Sequence, residues 1–157
     1  MGYSSRLIII CGLPGSGKTT HAVRLEETLG AVRLSADDWM NALAIDLYDE
    51  AARARIEALQ WKLGQRLLSK GLTVIIEWGT WGRSERDALR LGARALGAEV
   101  ELHYLSLPVD VLFDRIQRRA VETPPIKRDE LMKWAELFQE PTPAEFALFD
   151  KSVCLEC

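Results

Sequence analysis

Residues 12–19 of this chain read Gly12-Leu13-Pro14-Gly15-Ser16-Gly17-Lys18-Thr19. They match the pattern G-x-x-x-x-G-K-T of a loop that binds phosphate groups. The loop follows the apolar run Leu7–Cys11 and opens an amphipathic segment that reaches Leu29. Because the motif requires this order of strand, loop and helix, we predict that the loop binds the phosphates of a nucleoside triphosphate.

Each part of the loop has a physical task. Its glycines lack a Cβ atom, so the backbone can bring successive N–H groups close to phosphate oxygens. The first turn of the helix adds unpaired N–H donors and a partial positive charge. Lys18 can reach the β- and γ-phosphates, and the Thr19 hydroxyl suits Mg²⁺. The predicted nucleotide-binding residues here are Gly12, Leu13, Pro14, Gly15, Ser16, Gly17, Lys18, Thr19 and Thr20.

Length and composition bound the class of protein. The chain has 157 residues, of which 48% are hydrophobic, and 20 basic and 23 acidic residues give a net charge of −3. These values predict a single globular domain over residues 1–157. A slightly acidic chain without a dense cationic face is a poor non-specific partner for nucleic acid. We find no signal segment or membrane span in the sequence, and its three cysteines are an odd number, so we expect a cytoplasmic protein with reduced thiols and no membrane partner.

Strand and helix signals alternate along the chain. Thr73–Glu77 is apolar on both faces, as in a strand buried inside a parallel sheet. The predicted strands are Leu7–Cys11, Val32–Leu34, Thr73–Glu77, Val100–Leu105 and Phe149–Leu155. The predicted helices cover residues 18–29, 36–47, 50–70, 84–96 with a capping box at Ser84, and 109–120; a further helix, ended by Pro141 and Pro143, has Leu131, Trp134, Ala135 and Phe138 on its apolar face. This alternation predicts an α/β fold with helices on both faces of a parallel sheet and ligands at the carboxyl ends of its strands.

A second group of polar residues follows the second predicted strand. There Ser35 and Asp38 have the spacing of a capping box, which leaves Asp37 without a structural task. A carboxylate at this edge of the sheet could accept a proton from an acceptor hydroxyl. Alternatively, Asp37 is only an acid favoured by the helix dipole, and the two carboxylates could also exchange roles.

The third predicted strand ends in Glu77. An acid there could hold a Mg²⁺-bound water, or it could face the acceptor and bind a hydroxyl group, and both interpretations stay open. Trp78 and Trp81 follow on a short Gly-flanked loop at the same edge. Together with Trp39 they are candidates for the wall of an acceptor pocket, and core packing is the alternative.

Two arginines lie on one face of the helix after the fourth predicted strand. Arg115 and Arg119 are four residues apart, just before the break at Thr123-Pro124-Pro125. They could close over the phosphates, and one could stack on adenine, whereas a solvated basic stripe is the alternative. His21 and His103 show no spacing typical of a metal site or a catalytic dyad, so we expect structural roles for them.

These motifs in combination resemble the small P-loop kinases, a group that includes chloramphenicol phosphotransferase, the zeta-toxin kinases and the polynucleotide 5′-kinase domain. Within that group the chain is most similar to the proteins named AAA family ATPases or ATP-binding proteins. The resemblance covers nearly the whole chain, through Gly12–Thr19, Leu34–Trp39, Val74–Glu77, Arg115 to Arg119 and Phe138–Pro141.

The resemblance implies a three-layer P-loop NTPase fold with a five-stranded parallel sheet and a helical lid at about residues 115–130. It also implies ATP and Mg²⁺ as cofactors, Asp37 as the base, and Arg115 and Arg119 on the donor phosphates. Two positions depart from the group. In polynucleotide kinases an arginine stands three residues after the base, where this chain has Met40, and Glu77 stands where related kinases often have aspartate.

We therefore expect a kinase that transfers the γ-phosphate of ATP to a hydroxyl of a small molecule, such as an antibiotic, a nucleoside or a sugar nucleotide. The first alternative is a 5′-hydroxyl kinase acting on RNA or DNA ends, which Met40 and the net charge of −3 disfavour. The second is a regulatory or binding module that hydrolyses ATP slowly and has no phosphate acceptor.

Overall fold

One parallel sheet carries the polar edge described above. The computed structural model describes residues 4–122 and 124–156, so Thr123 and Cys157 lie outside the described residues. Its strands are β1 (Arg6–Cys11), β2 (Val32–Ser35), β3 (Thr73–Gly79), β4 (Glu99–Leu105) and β5 (Lys151–Leu155). They run in the order β2-β3-β1-β4-β5 and every neighbouring pair is parallel, as predicted.

Helices cover both faces of this sheet. They are α1 (Lys18–Leu29), α2 (Ala36–Ala42), α3 (Glu50–Ser69), α4 (Arg83–Ala95), α5 (Val109–Arg119), α6 (Arg128–Leu137) and α7 (Pro143–Phe146). Among the residues that the structure describes, none of these helices has the length and apolar character needed to cross a bilayer. The α/β architecture with a five-stranded parallel sheet is the predicted one.

The central strand β1 shows why the sequence folds in this way. Its side chains alternate between the two faces of the sheet, and both faces are covered, so Leu7–Cys11 is fully buried. Leu7, Ile9 and Cys11 pack into one apolar cluster, and Ile8 and Ile10 pack into a second cluster on the opposite face. The strand therefore holds the start of the phosphate loop rigidly at the centre of the sheet.

Two of the predicted helix boundaries are wrong. The helix expected to reach Leu47 ends at Ala42, because the chain turns at Ala44, whose φ of 57° is left-handed. The capping box expected at Ser84 is absent: α4 begins at Arg83 with Gly82 as its N-cap, and that residue has no side chain to cap it. Ser84 thus lies inside the first turn of the helix.

The short helix α7 has no counterpart among the predicted helices, because the sequence predicts only that Pro141 and Pro143 end the preceding helix. Proline is suited to the first position of a helix, where its missing N–H would be unpaired in any case. Pro143 occupies such a position, and the Thr142 hydroxyl accepts a hydrogen bond from the Glu145 N–H at 3.2 Å.

A buried ion pair joins α7 to α4, next to the carboxyl end of β3. Arg86 of α4 and Glu145 of α7 have side chains 0% and 1% exposed, and two hydrogen bonds of 2.7 and 3.0 Å join them. The same guanidinium donates to the carbonyl oxygens of Thr80 and Gln139. Four segments of the chain therefore meet at one side chain.

The cysteines differ in state. Cys11 is a buried free thiol, and burial raises its pKa to about 12. Cys154 is disulfide-bonded, so the expectation of reduced thiols is wrong for that residue.

Candidate functional site

The phosphate loop joins β1 to α1 and has the backbone shape that phosphate binding needs. Gly17 is the N-cap of α1, and its φ of 91° is left-handed. Gly15 has a φ of 83°, and a Cβ atom there would lie 2.8 Å from the Leu112 carbonyl oxygen of α5. Only glycine fits so close to α5 without displacing it, so the loop and the helix of the predicted lid are packed together.

Lys18 lies at the centre of a group of charges. Its ammonium group donates a hydrogen bond of 3.0 Å to the Leu13 carbonyl oxygen, across the loop. Burial lowers the pKa of Lys18 to about 8, and the carboxylates of Glu77 and Asp37 oppose this change while Arg119 reinforces it. Three other predicted site residues therefore lie near enough to Lys18 for their charges to act on it.

Thr19 and Glu77 are in direct contact. The Thr19 hydroxyl donates to Glu77 Oε2 at 3.2 Å, and Glu77 Oε1 accepts from Arg33 Nη1 at 3.3 Å. Burial raises the pKa of Glu77, although the charges of Arg33 and Lys18 oppose the effect. Arg33 also donates to Asp38 Oδ2 at 2.5 Å, so one guanidinium bridges the ends of β3 and α2.

Arg33 was missed in the sequence. A charged residue between Val32 and Leu34, in a strand of an otherwise covered sheet, is the signal that would have found it.

The two oxygen atoms of Thr19 and Glu77 fit the group that the motif implies. Mg²⁺ prefers oxygen ligands and is usually held by only one or two protein groups together with phosphate oxygens and water. No cluster of three or more His, Cys, Asp or Glu side chains suited to a metal occurs within residues 4–122 and 124–156. A hydroxyl and a carboxylate side by side are consistent with such a partial site.

Asp37 and Asp38 have separate partners. The Ser35 hydroxyl accepts from the Asp38 N–H at 3.3 Å, so Ser35 caps α2 as predicted. The Asp38 carboxylate pairs with Arg33 instead of accepting from the Ser35 N–H, as a complete capping box would require. Asp37 Oδ1 lies 2.7 Å from Arg53 Nη1 of α3, and the Asp37 side chain is 57% exposed. Sequence reasoning missed Arg53, which is one of several arginines on the long helix.

The three tryptophans occupy different surroundings. Trp78 donates from Nε1 to Gln60 Oε1 at 2.7 Å, and Gln60 in turn donates to the Ser35 carbonyl oxygen at 2.9 Å. Trp39 is half-buried and packs against the apolar cluster that contains Met40. Trp81 contacts Trp134 of α6, with ring centroids 5.9 Å apart. These contacts link the candidate acceptor wall to the core and to the predicted lid.

The two lid arginines do not share one environment. Arg119 pairs with Glu122 and adds to the positive field at Lys18. Arg115 lies near Gly17 and lines a cleft of about 360 Å³ beside the loop. The residues around this cleft are Ser16, Gly17, Thr20, His21, Arg24, Leu105, Leu107, Arg115, Leu155 and Glu156.

His21 and His103, for which the sequence predicts structural roles, are in direct contact. His21 lies on α1 at the cleft and His103 on β4, and their ring nitrogens are 2.8 Å apart. Burial lowers the pKa of both rings. Eighty-two positions separate them in the chain, so spacing alone gave no signal.

Comparison with known proteins gives a consistent family assignment. The sequence model of the AAA domain family, AAA_33, matches residues 7–141. The uncharacterized protein Rv2004c of Mycobacterium tuberculosis (strain ATCC 25618 / H37Rv) is 35% identical over 130 residues, covering 73% of this chain and 26% of the relative. The uncharacterized protein Mb2027c of Mycobacterium bovis gives the same values. The chain thus spans about a quarter of the length of the curated relatives it matches.

Three solved structures share the fold. Kti12 from Chaetomium thermophilum, in complex with ADP-AlF3, has a TM-score of 0.73 and 21% identity, over 95% of this chain and 88% of that one. The APS kinase CysC of Mycobacterium tuberculosis, with AMPPNP and APS, has a TM-score of 0.66 and 18% identity, over 98% and 90%. A chain of the Pnkp1/Rnl/Hen1 RNA repair complex has a TM-score of 0.71 and 24% identity, over 96% and 48%.

Proposed function

This chain belongs to the AAA domain family and is a P-loop kinase-like protein, and we propose that it is an ATP-dependent phosphotransferase. The acceptor that we propose is a hydroxyl group of a small molecule. The observation that carries the proposal is that the Lys18 ammonium lies across the phosphate loop, 3.0 Å from the Leu13 carbonyl oxygen, beside the Thr19–Glu77 contact and near enough to Asp37 for its carboxylate to act on the Lys18 charge. This supports the proposal because phosphoryl transfer needs a cationic cradle with an acceptor-side carboxylate beside it.

In the proposed reaction the loop binds the donor. Backbone N–H groups of residues 12–19 and the Lys18 ammonium hold the β- and γ-phosphates of ATP. Arg119 neutralises charge that develops during transfer, and Arg115 lies on the nucleoside side of the loop, as its position at the cleft suggests. Their shared task is positioning and charge neutralisation, which carry most of the catalysis of this reaction.

Asp37 is the proposed base. The acceptor oxygen forms a bond to the γ-phosphorus, the bond from that phosphorus to the bridging oxygen breaks, and ADP leaves with the electron pair. The hydroxyl proton passes to the Asp37 carboxylate. Arg53 binds Oδ1 of Asp37, and we assign Oδ2 to the acceptor hydroxyl.

Thr19 and Glu77 would hold Mg²⁺, directly or through water, since their oxygens are 3.2 Å apart. When bound, Mg²⁺ neutralises phosphate charge and orients the transferred group. Arg33 keeps the Glu77 carboxylate turned toward Thr19. This assignment favours the metal over the acceptor as the partner of Glu77.

Two observations favour a 5′-hydroxyl kinase as a second candidate, whereas Met40 and the net charge of −3 disfavour it. Met40 is fully buried and cannot bind the phosphate of a nucleic-acid end. Arg53, however, supplies a cation at the proposed base from a different helix. The fold is also that of a chain in an RNA repair complex. The net charge of −3 still favours a small acceptor.

The test is a transfer assay with radiolabelled ATP and Mg²⁺. Candidate acceptors are hydroxyl-bearing antibiotics, nucleosides, sugar nucleotides and oligonucleotides with free 5′-hydroxyl ends. With the acceptor that is labelled, Asp37→Asn should lower transfer by about 10²- to 10⁴-fold. Nucleotide affinity should change by no more than about twofold, because Asp37 does not hold the donor phosphates.

Asp38→Asn is the matched control, since Asp38 is the neighbouring carboxylate and binds Arg33 instead. We expect a smaller loss of transfer from it than from Asp37→Asn. Full transfer activity in Asp37→Asn would show that Asp37 is not the base. Release of free phosphate without any labelled acceptor would support the regulatory ATPase instead.

A further inference from the structure

A buried polar relay ends at the wall of the cleft beside the phosphate loop. It begins at Arg6, whose Nη1 donates to Glu101 Oε2 at 3.0 Å. Glu101 Oε1 lies 3.0 Å from His103 Nε2, and His103 Nδ1 lies 2.8 Å from His21 Nε2. Glu101 and His103 are 5% and 4% exposed. Burying Glu101 and His103 is costly unless their polar atoms are paired, and both ring nitrogens of His103 have a partner.

The order of donors and acceptors fixes the proton positions. An ionised carboxylate only accepts, so His103 Nε2 must carry a proton. If the ring of His103 is neutral, its Nδ1 is an acceptor and His21 Nε2 must donate to it. The alternative is a charged His103, but Arg6 already balances Glu101, and a second buried cation would lack a counter-charge.

This order leaves one free lone pair at the cleft end of the relay. With its proton on Nε2, a neutral His21 is an acceptor at Nδ1. Within the described part of the chain, the His21 ring makes its hydrogen bond through Nε2, to His103, and Nδ1 makes none. Burial, together with the nearby charge of Arg24 in the cleft, lowers the pKa of His21 and so disfavours its charged form.

The lining of the cleft indicates which part of a nucleotide would enter it. Leu105, Leu107 and Leu155 give it apolar walls, and the Arg115 guanidinium is a planar group suited to stacking on a ring. Gly17 and Thr20 join the cleft to the phosphate loop. A flat heterocycle fits such walls better than a ribose, which presents hydroxyl groups all round.

We propose that His21 selects adenine, by accepting a hydrogen bond from its exocyclic amino group at Nδ1, and that His103 and Glu101 are positioning residues that fix the tautomer. This inference rests on the proposed function, because it assumes that the loop binds a nucleotide. It adds a base preference, which the phosphate loop cannot provide. A base with a carbonyl oxygen in place of the amino group would place that oxygen opposite His21 Nδ1, and two acceptors cannot form a hydrogen bond.

The first test compares the binding of ADP and IDP, which differ at the 6-position of the base, by calorimetry. The wild-type protein should bind ADP at least about tenfold more tightly, because IDP leaves a polar group unpaired. His21→Ala should bring the ADP-to-IDP affinity ratio close to one, mainly by weakening ADP. Glu27→Ala, on an exposed position of the same helix, is the control and should keep the wild-type ratio.

Several results would overturn the inference. A wild-type ratio near one, or an unchanged ratio in His21→Ala, would do so while leaving the proposed function intact. If His21→Ala instead removed a preference for ADP over 2′-deoxy-ADP, the ring would serve the ribose, and the base assignment would be wrong. Failure of the wild-type protein to bind either diphosphate would overturn the proposed function together with the inference.

The positioning role has its own readout. Nitrogen-15 shifts of the two imidazole rings in the wild-type protein should show Nε2 protonated and Nδ1 unprotonated in both. A charged His103 or an Nδ1–H tautomer of His21 would contradict the relay. His103→Phe should lower the ADP-to-IDP ratio severalfold, and His103→Gln should restore part of it, because an amide can accept from His21 and donate to Glu101.

Discussion

Arg53 Nη1 lies 2.7 Å from Asp37 Oδ1, so α3 holds the carboxylate that we propose as the base. Arg53 also donates from Nη2 to the Leu47 carbonyl oxygen at 3.0 Å, in the segment between α2 and α3. One side chain therefore connects the proposed base to the backbone of the neighbouring loop. Its removal should affect the acceptor side of the site and spare the donor side.

We expect Arg53→Ala to lower kcat/KM for the acceptor by about tenfold to hundredfold, because a small misplacement of a base is costly in transfer reactions. The nucleotide Kd should change by no more than about twofold. Arg55→Ala, two residues along the same helix and exposed, is the matched control. Equal losses in the two variants would argue against a specific role for the Asp37–Arg53 contact.

Nucleotide affinity should depend on the protonation of Lys18. Burial lowers the pKa of this residue to about 8, so the free protein loses the charge as the pH rises through that value. Bound phosphate favours the charged form, so affinity should fall above about pH 8, by up to about tenfold per pH unit. Measurements of Kd between pH 7.5 and 9.5 test this.

Lys18→Arg is the control for that series, because a guanidinium keeps its charge throughout this range. Its affinity, although weaker, should not vary with pH between 7.5 and 9.5. Glu57, whose pKa burial raises to about 7, titrates below this window. A wild-type Kd that stays constant up to pH 9.5 would show that Lys18 remains charged in the free protein.

Glu77→Gln separates the two roles considered for that residue. If Glu77 serves the metal, the variant should lose most of the Mg²⁺-dependent gain in nucleotide affinity, while its affinity in EDTA stays within about twofold of wild type. Binding is measured with and without Mg²⁺. Thr19→Ser keeps a hydroxyl and should retain the gain. A raised acceptor KM with normal Mg²⁺ dependence would assign Glu77 to the acceptor.

Arg86→Met should destabilise the protein strongly. It removes both hydrogen bonds that the Glu145 carboxylate, with its side chain 1% exposed, accepts from Arg86, and leaves only the half-exposed Arg83, 3.9 Å away, as a cation; losing such a buried partner costs about 3–5 kcal/mol. The change is measured as the free energy of unfolding in urea. Replacing both partners, as in Arg86→Met with Glu145→Met, should recover much of this loss because no buried charge remains.

Arg118→Met is the control for stability. Arg118 and Asp114 form an ion pair with side chains 79% and 59% exposed, so its removal should cost less than about 1 kcal/mol. A similarly small effect of Arg86→Met would mean that the buried pair contributes little to folding.

The sequence predicted helix and strand positions best where these depend on residues adjacent in the chain. The bounds of α1 were predicted without error, because glycines in the left-handed conformation flank it at Gly17 and Gly30. The β-branched run of β3 and the buried run of β1 likewise marked the centre of the sheet. By contrast, the end of α2 depends on a left-handed Ala44, which that residue type does not suggest.

The contacts of the candidate site were harder to predict, since they join distant parts of the chain. Arg33 reaches Glu77 across 44 positions and His21 reaches His103 across 82. Such pairs arise from strand order and helix packing, neither of which has a local pattern. The sequence therefore predicted which residues lie at the edge of the sheet, but not which distant residues they contact.

The junction of Arg86 and Glu145 bears on where this polypeptide can be cut for expression. A fragment that ends at Pro141 would keep every residue of the phosphate loop. It would, however, lack Glu145, and the buried Arg86 guanidinium would keep the Thr80 carbonyl oxygen as a partner but have no carboxylate. We therefore expect insoluble material from fragments that contain the phosphate loop but end before α7. Fragments that extend through α7 keep Glu145, the carboxylate that neutralises the buried Arg86.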